Sequence, residues 1–122
     1  MKNHLAAFLV SGDCIISREN SISIIKIVEK LIIKEKGTYP LWVYLCLRNN
    51  TGEHKLQVSF KDPKGGQTEV FNRQVTSQSP KQLIHHLQQI TVEGGKYGEY
   101  ELYAYLDNEL IGEMTFNALP SP

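Results

Sequence analysis

Histidine and cysteine are the residue types that most often bind metals or act as nucleophiles, and this chain has few of them. The histidines are His4, His54, His85 and His86, and the cysteines are Cys14 and Cys46. Adjacent residues point to opposite faces of a strand and diverge by about 100° on a helix, so His85 and His86 do not form a chelating pair. We expect both to face solvent in a polar connection, and the sequence predicts no metal site.

Neither cysteine lies where a thiol becomes reactive. Cys46 is inside an apolar run and Cys14 follows Asp13, and both surroundings disfavour the charged thiolate. A Cys/His nucleophile pair is formally possible, but we do not predict one. The two cysteines could form a disulfide if their strands were neighbours, whereas buried free thiols are commoner in a cytosolic protein. The sequence leaves both outcomes open.

Two other patterns that often serve catalysis are weak here. Glu99 and Glu101 are carboxylates on one face of a predicted strand, and between tyrosines such a pair is more typical of a solvated face than of acid/base catalysis. Gly65-Gly66 and Gly94-Gly95 match neither the phosphate-loop nor the dinucleotide-binding pattern. The sequence therefore predicts no catalytic residue and no cofactor, and we expect that the protein is not an enzyme.

The tyrosines are the strongest candidates for binding. Tyr97, Tyr103 and Tyr105 have the same parity in one strand, so they should share an outer face with Glu99 and Glu101. Tyrosine combines apolar area with a hydroxyl group and is enriched at protein interfaces. The alternative is cross-strand packing that only stabilises the sheet.

Trp42 and Tyr44 are expected to extend this face. They belong to Leu41–Leu47, an apolar run without a polar side, which predicts a central strand covered on both faces or by a partner. Strands C and F of a Greek-key sandwich are neighbours, which would place Trp42 and Tyr44 beside the tyrosines. Because the formal net charge is zero, no long-range repulsion opposes self-association. We predict a two-fold homodimer through this sheet, or an unknown protein partner.

The elements that carry these residues are predicted from period-two alternation. The residues expected in the core are Leu56, Val58, Phe60, Leu102, Ala104, Leu106, Met114 and Phe116. Turns are predicted at 49–52, as a four-residue hairpin loop, at 62–66, and at Asp107-Asn108, as a type I′ turn. An Ile-rich segment, 21–33, predicts a long strand bent near Glu29-Lys30. Residues 80–90 fit a helix or a strand, and we favour a short helical turn or irregular crossover before a strand at 89–93.

These elements predict one all-β domain over residues 1–122. About seven to eight strands with regular turns indicate an immunoglobulin-like Greek-key sandwich with at most one short helical turn. The glycine-rich corner before Tyr97 and Tyr100 resembles the corner that precedes strand F in such folds.

Composition excludes several classes of partner. Lys+Arg and Asp+Glu number 13 each and are scattered, which does not predict a nucleic-acid or membrane-surface binder. Leu5–Val10 is too short for a signal peptide, and no apolar run approaches the roughly 18 residues of a membrane span. We expect a soluble, cytoplasmic protein.

The order of several strand and turn motifs resembles a bacterial family of uncharacterised proteins, a domain of unknown function. The motifs are Ala6–Leu9, Ser23–Ile27, Tyr39-Pro40, Gly52–His54, Leu56–Phe60, Asp62–Gly66, Gly98–Leu102 and Asp107-Asn108. The resemblance implies a β-sandwich and no known activity.

The function that these observations favour is a non-enzymatic protein-interaction module acting through an aromatic outer sheet face. A small-molecule or glycan-binding sandwich that uses the same aromatic residues is the alternative. An enzyme with an unrecognised site ranks last.

Overall fold

The residues that the structure describes form nine β-strands. The computed structural model describes residues 5–16, 22–48, 51–79 and 82–121, with backbone only at 13–16 and 22–26. The strands are β1 (Leu5–Ile16), β2 (Ile22–Ile27), β3 (Lys30–Ile33), β4 (Thr38–Leu47), β5 (Gly52–Lys61), β6 (Gln67–Ser77), β7 (Ile84–Glu93), β8 (Gly98–Leu106) and β9 (Glu109–Pro120). The described residues contain no helix, so the predicted all-β class is confirmed.

The strands form two sheets, which confirms the predicted β-sandwich. The four-stranded sheet has the order β2-β1-β4-β7, and the five-stranded sheet has the order β3-β9-β8-β5-β6. Neighbouring strands are antiparallel except β3 and β9, which are parallel. In immunoglobulin lettering, β4 and β7 take the places of strands B and E, and β5, β8 and β9 those of C, F and G.

The position of Leu41–Leu47 in this order differs from the prediction. The run is a central strand, as expected, but it belongs to β4 in the four-stranded sheet, whereas the tyrosines follow in β8 of the other sheet. The prediction that Trp42 and Tyr44 share a sheet with Tyr103 and Tyr105 is therefore wrong. Three strands precede β4, so the run takes the place of B rather than C, and an apolar pattern does not reveal its place in the order.

The turn predictions have mixed outcomes. Asp107 and Asn108 have φ angles of 51° and 67° between the paired strands β8 and β9, which confirms the type I′ turn. Asp62 accepts hydrogen bonds from the backbone N–H groups of Lys64 and Gly66 at 2.8 and 3.0 Å, which confirms the second turn. The hairpin over 49–52 is wrong, because β4 and β5 lie in different sheets; residues 49 and 50 are outside the described ones.

Two segments form strands differently from the prediction. The Ile-rich segment divides into β2 and β3, one in each sheet, with the break next to the predicted bend. Residues 84–93 all belong to β7, so the helical turn is wrong for the described part of 80–90, and the strand begins before position 89. Ten residues of pairing with β4 outweigh the helix-like spacing of a few leucines.

The core lies between the sheets and follows the predicted alternation. Leu56, Val58, Leu102, Ala104, Leu106 and Phe116 are buried, whereas Phe60 and Met114 are partly buried against them. Phe60, Tyr100 and Phe116 form a parallel stack with ring centroids 5.4 and 5.1 Å apart. The Tyr100 hydroxyl donates to the carbonyl oxygen of Lys96 at 2.5 Å, which is the corner that the sequence indicated.

Candidate functional site

The outer face of the five-stranded sheet carries two of the predicted tyrosines. Tyr103 is paired in register with Ser59 on β5 and Glu113 on β9. Tyr105 is paired with Gln57 on β5 and Leu110 on β9, and directly paired residues point to the same face. We call the surface formed by Gln57, Ser59, Glu101, Tyr103, Tyr105, Leu110 and Glu113 the tyrosine face.

Leu110 joins the tyrosine face because of a bulge. The β8–β9 register shifts between Ala104 and Tyr105, so Ala104 is opposite Gly112 but Tyr105 is opposite Leu110. An extra residue in one strand reverses the alternation beyond it. Leu110, which simple alternation places in the core, is consequently 48% exposed next to Tyr105.

Polar contacts fix the middle of the tyrosine face. The Tyr103 hydroxyl donates to Oε2 of Glu101 at 2.8 Å, and the same oxygen lies 3.7 Å from Nζ of Lys61. The hydrogen bond to Glu101 is the largest cause that raises the pKa of Tyr103, so its hydroxyl remains a neutral donor at physiological pH. Glu101 therefore orients the ring of Tyr103 on this face.

Two grooves flank the tyrosines. A groove of about 430 Å³ next to Tyr105 is lined by the polar side chains of Gln57, Ser59, Gln67, Glu69 and Asn108. A smaller one, of about 280 Å³, lies next to Tyr103 between Glu101, Glu113 and Thr115. The tyrosine face thus combines aromatic rings with amide, hydroxyl and carboxylate groups.

Tyr97 and Glu99 contribute less to the tyrosine face than the sequence predicts. Tyr97 precedes the first residue of β8, Gly98, whose φ of 124° breaks the regular alternation. Tyr97 is partly buried against the core, so it does not continue the row of Tyr103 and Tyr105. Glu99 is exposed and paired with Asn117.

Trp42 and Tyr44 lie on the opposite side of the sandwich, on the outer face of the four-stranded sheet. Each is partly buried. The Tyr44 hydroxyl and Nδ1 of His85 share a hydrogen bond of 2.6 Å, and their rings stack at 5.9 Å. Burial, with a smaller effect of Cys46, raises the pKa of Tyr44 to about 12, so this hydroxyl stays protonated.

Cys46 is paired with His85 in register and lies on the same face. It is a free thiol and only 4% exposed. Its Sγ atom lies 4.0 Å from the carbonyl oxygen of Leu47, and Tyr44 is a neighbour on the same face. The side chain of Cys14 is outside the described part of the structure.

His86 is a buried group that the sequence analysis missed. The prediction that both adjacent histidines face solvent holds for His85, whereas His86 is 8% exposed and packs on Phe71 with ring centroids 3.8 Å apart. Its Nε2 atom is buried without a hydrogen-bond partner. Burial, and to a lesser extent the charge of Arg73, lowers the pKa of His86 to about 4. Its parity with Ile90 and Val92 signals this burial once the segment is known to be a strand.

A further cavity opens at the side of the sandwich, between β6 and β7. This edge cleft has a volume of about 320 Å³, and its floor is formed by Phe60, Ile90, Val92 and Tyr100. Its rim carries Asp62, Glu69, Glu93 and Lys96, and the last two form an ion pair of 3.2 Å. No sequence signal identifies the cleft, because it depends on which strands end the two sheets.

The carboxylates of the rim influence the floor of the edge cleft. The pKa of Tyr100 is raised first by burial and then by the negative charges of Asp62 and Glu93. Asp62 and Glu93 therefore lie near enough to the Tyr100 hydroxyl to influence its ionisation.

Two features are absent from the described residues. They contain no group of three or more His, Cys, Asp or Glu side chains that could hold a metal ion. They also contain no helix long and apolar enough to cross a membrane.

The fold is shared with domains of larger proteins. No protein-family model matches the chain, and no curated protein matches its sequence. Among solved structures, β-glucosidase 3B from Thermotoga neapolitana is similar over 91% of this chain and 16% of its own, with a TM-score of 0.51 and 19% identity. The alkylpurine DNA glycosylase AlkC from Pseudomonas fluorescens is similar over 94% of this chain and 30% of its own, with a TM-score of 0.51 and 8% identity.

These similarities concern the fold alone. The chain spans only a minor part of each of these enzymes, and identities below 20% carry no functional residue from one protein to the other. The class that fold and surface define is a β-sandwich with an aromatic, polar outer face.

Proposed function

We propose that this chain is a non-enzymatic binding domain that recognises a partner protein through the tyrosine face. The observation that carries the proposal is the exposure of Leu110 beside the partly exposed Tyr105, on a sheet face where Tyr103 is held in place by Glu101. Tyrosine anchors are enriched among the residues that dominate binding energy, and pre-oriented side chains lose less entropy on binding.

The charges of this surface favour a basic partner over a second copy of the chain. Glu69, Glu101 and Glu113 lie beside the tyrosines, whereas Lys61 is engaged with Glu101. A two-fold contact would bring these carboxylates towards one another, and like charges at an interface are unfavourable. The homodimer predicted from the sequence also relied on a face that combined Trp42 with the tyrosines, and the two lie in different sheets.

Glycan binding at the same face is the second candidate. The groove next to Tyr105 is lined by amide and carboxylate side chains, which hydrogen-bond hydroxyl groups, and the ring offers an apolar surface. A sugar needs both features, and the groove of about 430 Å³ lies within the size range of small-molecule sites.

A photo-crosslinking amino acid at position 110 tests the proposal. In extract of the host cells it should give one major protein adduct, and Tyr105→Ala should abolish that adduct while leaving the fold intact. The same crosslinker at Ile27, which is 64% exposed on β2 of the other sheet, is the matched control. An adduct that persists in Tyr105→Ala, or that consists of a second copy of the chain, contradicts the proposal. Binding to a glycan array that is lost in Tyr105→Ala favours the second candidate.

We also propose that the protein is located in the cytoplasm. Cys46 is a free, buried thiol, which is typical of proteins from reducing compartments. Localisation of a tagged chain by cell fractionation tests it.

A further inference from the structure

The edge cleft follows the exposed backbone of two strands. Among the described strands, β7 pairs only with β4 and β6 only with β5, so each ends its sheet with one row of backbone N–H and C=O groups facing outwards. Residues 89–93 of β7 and 68–70 of β6 line the cleft without a gap. Since successive side chains alternate between faces, a groove lined by consecutive residues runs along the strand edge, and five residues span about 16 Å.

β7 lacks the features by which edge strands usually avoid pairing. It has ten residues, none of them Lys or Pro, and it pairs with β4 without a bulge. By contrast, β3 at the end of the other sheet has four residues and begins with Lys30. Shortness, lysine, proline and bulges all protect a strand edge from pairing with another chain, so β7 is open to strand addition.

The apolar floor and the carboxylates of the rim indicate which kind of segment the cleft would bind. We propose that the edge cleft binds an extended cationic segment of another protein, which joins β7 as an additional antiparallel strand of the four-stranded sheet. Its alternate apolar side chains contact Phe60 and Ile90 on the floor, and its lysine or arginine side chains approach the carboxylates of the rim. Backbone hydrogen bonds to β7 provide the affinity. This site differs from the tyrosine face, which is the outer face of the other sheet, although Thr68 and Glu69 border both.

Charge complementarity favours this occupant over a second copy of β7. The rim carries three carboxylates, Asp62, Glu69 and Glu93, against the single cation Lys96, which is already paired with Glu93. A symmetric β7–β7 contact would bring two negative rims together and add no cation. A peptide with Lys or Arg at alternate positions neutralises the rim, as complementary interfaces do.

The experiment uses a blocked hexapeptide of alternating lysine and valine as the probe. Hydrogen exchange of the intact chain, followed by mass spectrometry or NMR, should show slower exchange of the amides of β7 when the peptide is bound. Thr91→Lys, at an exposed position on the edge of β7, should weaken binding about five- to tenfold. Thr76→Lys adds the same charge at an exposed position of β6, beyond the residues 68–70 that line the cleft, and should leave binding unchanged.

Two control peptides separate the contributions of charge and of main-chain hydrogen bonds to binding. The hexapeptide of alternating glutamate and valine tests the charge, and a lysine–valine peptide with N-methylated backbone tests the main-chain hydrogen bonds. Both should bind at least about fivefold more weakly.

Four results would each overturn the proposal. One is unchanged exchange of β7 amides at about 1 mM lysine–valine peptide, a concentration that detects even weak binding. A second is equal binding of the glutamate peptide, which would show that the cleft does not prefer cations. A third is equal binding of the N-methylated peptide, which would show that the cationic peptide binds without adding a strand to β7. A wild-type dimer that Thr91→Lys dissociates shows that a second copy occupies the edge.

Discussion

Lowering the pH should destabilise the fold, because it favours a protonated His86, whose imidazole ring is buried in the native state. His86 is buried against Phe71, and its Nε2 atom lacks a hydrogen-bond partner. In the native state the pKa of His86 is lowered to about 4, whereas the ordinary value is 6.5. Between these two values the unfolded chain binds a proton at this residue that the native chain excludes.

The sign and size of the effect follow from this difference. Because the unfolded state binds more protons between the two pKa values, the free energy of unfolding decreases as the pH falls from 6.5 towards about 4 and is unaffected by this residue at lower pH. Each pKa unit corresponds to 1.36 kcal/mol, so His86 accounts for a loss of about 3 kcal/mol over that range. This is a large fraction of the stability of a small domain.

His86→Leu isolates this contribution from the titration of the carboxylates. Leucine fills a similar apolar space and removes an unsatisfied buried nitrogen, so the variant should be as stable as the wild type at neutral pH, or about 1 kcal/mol more stable. Urea unfolding, followed by the fluorescence of Trp42, the single tryptophan, gives the free energy of unfolding at each pH. The difference between variant and wild type should widen to about 3–4 kcal/mol at about pH 4.

Two outcomes would refute this reasoning. Parallel pH profiles of His86→Leu and wild type would show that His86 titrates alike in the native and unfolded chains. An NMR titration that places the pKa of His86 near its ordinary value would show that the ring is not buried in the way described here.

Three further predictions concern the core and the turns. Phe60→Ala should lower the free energy of unfolding by about 2–4 kcal/mol, because Phe60 is partly buried in the aromatic stack; a loss below about 1 kcal/mol in urea would contradict that packing. Tyr100→Phe should lower it by about 1 kcal/mol through loss of the hydrogen bond to Lys96, with an unchanged circular dichroism spectrum. The hydrogen bond to Asp107 raises the pKa of His54, so the protonated ring stabilises the native state below pH 6.5. His54→Gln should therefore be less stable than the wild type at about pH 5–6, and this difference should shrink as the pH rises past 6.5. A difference that does not depend on pH would contradict the role of this hydrogen bond.

Local patterns are sufficient for most of the strands and for two of the three turns. The alternation around Val58 and Ala104 predicts buried residues that the structure confirms, because period two is a property of each strand by itself. The positive φ of Asp107 and Asn108 was predictable for the same reason, since the residue types and the two flanking strands define the turn.

The positions of the candidate site residues depend on strand order and bulges, which no single segment of the sequence reveals. Trp42 and Tyr105 were expected on one face, and whether they meet depends on strand order, which is a property of the whole chain. The burial of His86 and the exposure of Leu110 depend on the length of β7 and on one bulge in β8–β9. The edge cleft exists only because β6 and β7 end their sheets on the same side.

The parallel pairing of β3 with β9 has a kinetic consequence. It joins residues 30–33 to residues 117–120, whose contact requires closure of a loop that contains β4 to β8 and most of β9. Before it forms, residues 117–120 of β9 present an unpaired edge that β3 later covers. Because contacts that form late affect unfolding more than folding, a substitution in β3 should speed unfolding, and the longer exposure of this edge should also lower the yield of refolded protein.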